Sequence, residues 1–160
     1  MDTVLNDIGL YKNRLISAFL NSTDITSLLL RKDTPSEDEV DNLIYTQIFP
    51  YLYTDGRQTQ VLSYLCFEVD VPRIPTSAIK EMKLIIWTYS HKDGIKYSRK
   101  GYMGTTSDIL ADMVERELRE SDKFGIGKLR LDSATYLFPG DKYYGRQMVF
   151  TIPDFRQKGR

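Results

Sequence analysis

Residues 61–71, VLSYLCFEVDV, alternate along their length: Leu65, Phe67, Val69 and Val71 project one way, Tyr64, Cys66, Glu68 and Asp70 the other. Alternation with period two specifies a half-buried strand, which needs a neighbour for its ladder and a cover for its apolar face. Pro72 and Pro75 predict the end of this strand, because proline cannot donate to a ladder. Residues 82–90 supply the neighbour. Their unbroken apolar middle, Leu84-Ile85-Ile86-Trp87, predicts cover on both faces. Residues 128–138 and 143–152 read as two more strands. In the last, Tyr144, Met148, Phe150 and Ile152 alternate with Tyr143, Gly145, Gln147 and Thr151. The short Pro139-Gly140-Asp141-Lys142 turn between them predicts an antiparallel pair.

The cover comes from helices. Residues 105–121 carry one apolar stripe of Ile109, Leu110, Met113, Val114 and Leu118, with Thr105, Thr106 or Ser107 as cap and Asp108 at the positive helix end. Asp112/Arg116, Glu115/Arg119 and Arg116/Glu120 are opposite-charge pairs on its wet side. Residues 4–20 repeat Val4, Ile8, Leu15 and Phe19 at helical spacing. Asn21-Ser22-Thr23-Asp24 breaks that helix and caps a shorter one through Ile25, Leu28 and Leu29.

The remaining segments are connections. Residues 32–42, KDTPSEDEVDN, hold five acids and read as an exposed loop. They lack the Gly and Glu placement of an EF-hand. Residues 43–53, LIYTQIFPYLY, are apolar and aromatic around Pro50, and Asp55-Gly56 reads as a turn. His91-Lys92-Asp93-Gly94 is another turn, followed by a basic loop over 95–104. The sequence therefore predicts an α+β fold: a mainly antiparallel four-stranded sheet with one helix packed on a face and an N-terminal helix. One domain spans residues 1–160, with N-terminal helices over 1–31, the acidic loop over 32–42, the sheet-and-helix core over 61–152 and a basic tail over 153–160.

Charge balances at 22 basic and 22 acidic residues. That argues against binding nucleic acid through the overall surface field, and weak self-repulsion is compatible with assembly. One cysteine and one histidine allow neither an intramolecular disulfide nor a Cys/His zinc site. Met1–Asp7 carries two acids and no base, unlike a secretory leader, and no apolar run approaches a membrane span, so a cytoplasmic setting without membrane contact is expected.

The candidate chemistry is thin. His91 stands where a strand meets a turn, as surface histidines often do, and Ser90 points to the opposite face of the strand, so the two form no nucleophile–base pair. Cys66 has no neighbouring base or helix terminus to lower its pKa and reads as packing. Gly101 and Gly104 precede a helix, but the spacing is neither that of a P-loop nor that of a dinucleotide loop, and Asp108 already occupies the helix end. Glu68 and Asp70 share a strand face and constitute the one carboxylate pair for an enzymatic reading, metal-assisted or otherwise. No catalytic constellation, cofactor or metal site is predicted.

KLRLDSATYLFPGDKYYGRQMVFTIPDF resembles the closing hairpin of tail-terminator or tail-completion proteins from tailed bacteriophages, small virion proteins of the head–tail joint. The element order is similar too: an N-terminal helix, a long loop, two strands ending in KLIIWTYSHKD, an acidic helix SDILADMVERELRES, then a hairpin with the step YYGRQMVFTI. The resemblance implies a non-enzymatic ring, commonly a hexamer, that caps the tail tube and meets the head–tail connector in the virion neck after assembly in the host cytoplasm. The partners would be further copies of the chain, the tail tube protein and the connector proteins, with DNA passing through and not specifically bound. On that reading the candidate subunit interface comprises Lys96, Arg99 and Tyr102 of the basic loop, Tyr143, Tyr144 and Arg146 of the hairpin, and Phe155, Arg156, Lys158 and Arg160 of the tail, since Tyr and Arg are favoured at interfaces. The alternative is a nucleic-acid-binding module built on loop 92–102, with Lys92, Lys96, Arg99 and Lys100 interleaved with Tyr97 and Tyr102.

Overall fold

The computed structural model describes residues 4–57, 59–74, 81–119, 121 and 129–152. In chain order the elements are α1 (Val4–Leu20), α2 (Thr23–Leu30), α3 (Glu37–Asp41), β1 (Ile48–Phe49), β2 (Ser63–Arg73), β3 (Glu81–His91), a 3-10 turn at Lys92–Gly94, α4 (Thr106–Leu118), β4 (Arg130–Leu137) and β5 (Tyr143–Ile152). The strands form one five-stranded sheet in the order β1-β2-β3-β5-β4. Every pairing is antiparallel except β1 with β2. The α+β class agrees with the sequence reading. The strand count differs by β1, which is two residues long and too short to show a period.

One face of the sheet carries the main core. Leu65, Phe67 and Val69 of β2, Met82, Leu84 and Ile86 of β3, and Met148, Phe150 and Ile152 of β5 pack there. Above them lie Leu15 and Phe19 of α1, Ile25 and Leu28 of α2, and the whole predicted stripe of α4. Three helices thus cover this face, the N-terminal pair lying beside the α4 that the sequence packed on it. Each helix start has a chemical reason. The Ser22 hydroxyl accepts the Ile25 N–H at 3.3 Å. Ser36 and Thr105 form reciprocal capping boxes with Glu39 and Asp108, so orphan amides are satisfied at the starts of α3 and α4. The box at Ser36 turns part of the acidic loop 32–42 into α3, a correction to the loop reading.

Two further readings shift. β2 runs through Pro72 to Arg73, because the proline falls where the register with β3 slips between Asp70 and Arg73. A missing donor costs little at such an irregularity. In β3 burial alternates from Glu81 to Trp87, and only Thr88–His91 are buried consecutively. Cover on both faces therefore begins just past the apolar run that predicted it. Trp87 is half-buried, and its indole N–H donates to Gln147 Oε1 at 2.8 Å.

The second face is covered at one end by the segment between β1 and β2. Phe49, Tyr64, Cys66, Tyr89 and Tyr143 form a separate aromatic cluster there, flanked by Tyr53, Leu62, Trp87 and Leu137. Phe49 stacks on Tyr53 with centroids 4.1 Å apart, and Tyr64 stacks on Tyr89 at 5.0 Å. Towards the other end, Lys83 donates to Asp132 at 3.1 Å and to Thr151 at 2.9 Å, tying β3, β5 and β4 together.

Candidate subunit interface

Loop 95–104 is built inward. Arg31, the left-handed cap of α2, donates to the carbonyls of Gly94 at 2.6 Å and Lys96 at 3.0 Å, and its guanidinium lies over Tyr97 at 5.2 Å. Arg99 donates to Asp24 at 2.5 Å, and the Tyr102 hydroxyl donates to the other oxygen of that carboxylate at 3.0 Å. Arg116 lies 4.2 Å from the centre of the Tyr102 ring and donates to the Gly101 carbonyl at 3.0 Å. Two predicted site residues, Arg99 and Tyr102, are thus joined by an aspartate that sequence reasoning assigned only to a helix cap. Lys96 stands exposed. Burial and the Asp24 bond both push the Tyr102 phenol upward, with burial the larger cause.

The hairpin candidates separate. Tyr143 is completely buried, edge-on to Tyr89 at 5.4 Å, and belongs to the core. Its position on the covered end of the second face corrects its assignment as a surface contact. Tyr144 is half-buried and packs edge-on to Phe138 at 5.6 Å. Arg146 donates to Asp108 at 2.7 Å and so clamps β5 to the start of α4. Burial opposes ionisation of Asp108, but the Arg146 bond and the Thr105 amide outweigh it and hold the carboxyl below the ordinary aspartate range. Asp108 thereby fills the helix end, as its sequence position suggested. Phe155, Arg156, Lys158 and Arg160 lie outside the described residues.

The rival chemical candidates also have places. Glu68 pairs with Lys12 and accepts the Val69 N–H at 3.0 Å, whereas Asp70 is exposed. Burial pushes the Cys66 thiol up to about 11, consistent with a packed and unreactive side chain. His91 is buried at 5% exposure, not a surface residue. Its Nδ1 accepts the Asp93 N–H at 3.1 Å and its ring packs edge-on to Tyr143 at 5.5 Å. It lines an open cleft of about 450 Å³ with Thr59, Val61, Lys92, Asp93, Asp141 and Lys142. Among the described residues no group of three His, Cys, Asp or Glu side chains is placed to hold a metal ion. No helix among them is long and apolar enough to cross a membrane.

What the sequence reading missed lies at the sheet edges. Tyr45 and Tyr51 flank β1 with 60% and 45% of their surface exposed, and their rings are 6.5 Å apart. Tyr136 and Phe138, at 65% and 58%, close the β4 side and contact each other at 5.4 Å. The signal available in the sequence was the density of rings in LIYTQIFPYLY and the Tyr-x-Phe step before the Pro139-Gly140 turn.

Comparison with known families places the chain among phage-derived proteins. It belongs to the YomW family, whose model matches residues 16–152 and which derives from the yom region of Bacillus phage SPbeta. No curated protein matches the chain.

Proposed function

We propose that the chain is a structural virion protein that forms a ring at the head–tail joint, caps the tail tube and connects it to the capsid connector. The observation that carries this reading is the open edge of the sheet. β4 is an outermost strand of eight residues, and seven of them are exposed. Exposed strand edges are surfaces on which other chains pair, and proteins without a partner usually blunt or cover them. Membership of a phage-derived family and the resemblance of the element order to that of tail-terminator proteins support the same reading. The balanced charge suits a ring through which DNA passes without being held.

A nucleic-acid-binding role for loop 92–102 draws less support, because Arg99 is paired with Asp24 and Arg116 covers Tyr102. The placement is tested by immunogold electron microscopy on particles of the phage that encodes the chain. Gold at the neck is expected. Gold on the capsid shell, or a chain absent from purified particles, overturns the reading.

A further inference from the structure

The exposed rings of this molecule are not scattered. All four aromatic side chains among the large exposed hydrophobics of the described residues stand at the two outer strands. Tyr45 and Tyr51, with Leu52, lie beside β1. Tyr136 and Phe138, with Leu131, lie on or just after β4. In the order β1-β2-β3-β5-β4 these are opposite ends of one sheet. Single exposed apolar residues are ordinary on protein surfaces. Two groups of rings confined to opposite edges are a different pattern, and rings are the residue class that anchors interfaces.

Both groups are held in place before any partner arrives. Tyr45 has a φ of 64°, a left-handed conformation that bulky side chains seldom adopt and that costs free energy. Its amide donates to the Ile48 carbonyl at 2.8 Å, which fixes the turn. Lys12 donates to the Pro50 carbonyl at 2.8 Å and secures the chain next to Tyr51. At the far edge Phe138 is gripped edge-on by Tyr136 and Tyr144, with the Lys92 ammonium 5.7 Å from its ring centre. Preorganised anchors lose little freedom on binding.

We infer that the β1-side rings of one copy dock on the β4-side rings of the next copy, head to tail. This rests on the ring reading above and names its contact. The occupant is a second copy because each edge lacks what a strand from the same chain would supply. β4 ends the sheet with a bulge between Leu131 and Ser133 and charges at Arg130 and Asp132, while Ala134–Leu137 carry no charge to repel a strand. β1 pairs with β2 only at Leu65 and Cys66, and the Val69 amide beyond it is taken by the carboxylate of Glu68. Patches at opposite ends cannot both be used in a two-fold dimer of one patch with itself. They make a heterologous contact, which closes into a ring when the rotation allows. Charge agrees: the exposed acids Glu37, Asp38 and Asp41 of α3 precede Tyr45, and Lys92 covers Phe138.

The test uses two full-length double variants, Tyr45→Ser/Tyr51→Ser and Tyr136→Ser/Phe138→Ser, with mass measured by light scattering and folding checked by thermal melting. The wild type is expected to run as a multiple of 18.6 kDa and each variant alone as a monomer. An equimolar mixture should give a pair, twice 18.6 kDa and no larger, because each variant keeps the patch the other has lost. The single substitutions Tyr51→Ser and Tyr136→Ser, each of which removes one ring from one edge, repeat the test if a double variant melts early. Loss of assembly in only one variant, or a mixture that stays monomeric, overturns the head-to-tail contact. A wild-type ring that survives both variants overturns the choice of edges and leaves the ring standing. A wild type that is monomeric at every concentration overturns both.

Discussion

Gly145 shows how much one missing atom decides. It faces Tyr89 across the β3–β5 ladder, and a Cβ added there would lie 2.1 Å from the Thr88 carbonyl oxygen and 2.5 Å from Tyr89 Cβ. Backbone cannot retreat from such a clash without opening the ladder. Gly145→Ala should therefore destabilise the fold by about 3 kcal/mol, measured by urea unfolding. A loss under about 0.5 kcal/mol, the ordinary surface range, would contradict that placement. Trp87→Ala should cost about 2 kcal/mol, below the usual core value, since the ring is half-buried and loses one hydrogen bond to Gln147. A cost above about 4 kcal/mol would mean that something else covers Trp87. The sequence displayed Trp87 as central but could not show which neighbour lay over it, because face cover depends on segments distant in the chain. His91 misled for the same reason. It ends a strand, yet the residues that bury it include Tyr143, on a strand distant in the chain.

At the scale of elements, α4 is the piece most fully written in the sequence. Its stripe, its Thr105 cap and its Asp112/Arg116 and Glu115/Arg119 pairs all lie within one or two turns of each other. The clamp from Arg146 to Asp108 was not readable, since it joins a strand to a helix thirty-eight residues away. Asp108 has its folded pKa depressed, so its contribution is present above the unfolded pKa of about 4 and is lost as pH falls through the lower folded value. Asp108→Asn should lower stability at neutral pH by about 1 to 2 kcal/mol, with allowance for partial exposure. It should also flatten the acid limb of the stability profile below about pH 4. An acid limb of unchanged slope would assign the effect to other carboxylates. Loop 95–104 is the converse case. It read as a free basic loop, but Arg99 and Tyr102 are fastened to Asp24 on α2. Arg99→Ala should speed amide exchange across residues 97–103 and leave retention on a DNA column unchanged. Weaker DNA retention with unchanged exchange would favour the nucleic-acid reading.

The whole molecule joins a helix-covered face to a sheet that is open at its outer strands. The covered face was legible from period alone, because residues of opposite hydropathy alternate wherever one side is buried. The edges were not, because a strand that is exposed on both sides, as β4 is over most of its length, has no buried face to betray its surroundings. Two short features, the two-residue β1 and the left-handed Tyr45, set one of those edges, and neither produces a periodic signal. The phage-derived family, the open edge and the balanced charge together support a subunit that completes itself with further copies. The most direct measurement is the mass of the purified wild-type chain by light scattering across a concentration series, with electron micrographs of the same fractions. The account predicts closed rings whose mass is a whole multiple of 18.6 kDa. A single species of 18.6 kDa at every concentration, with no ring in the images, would contradict it.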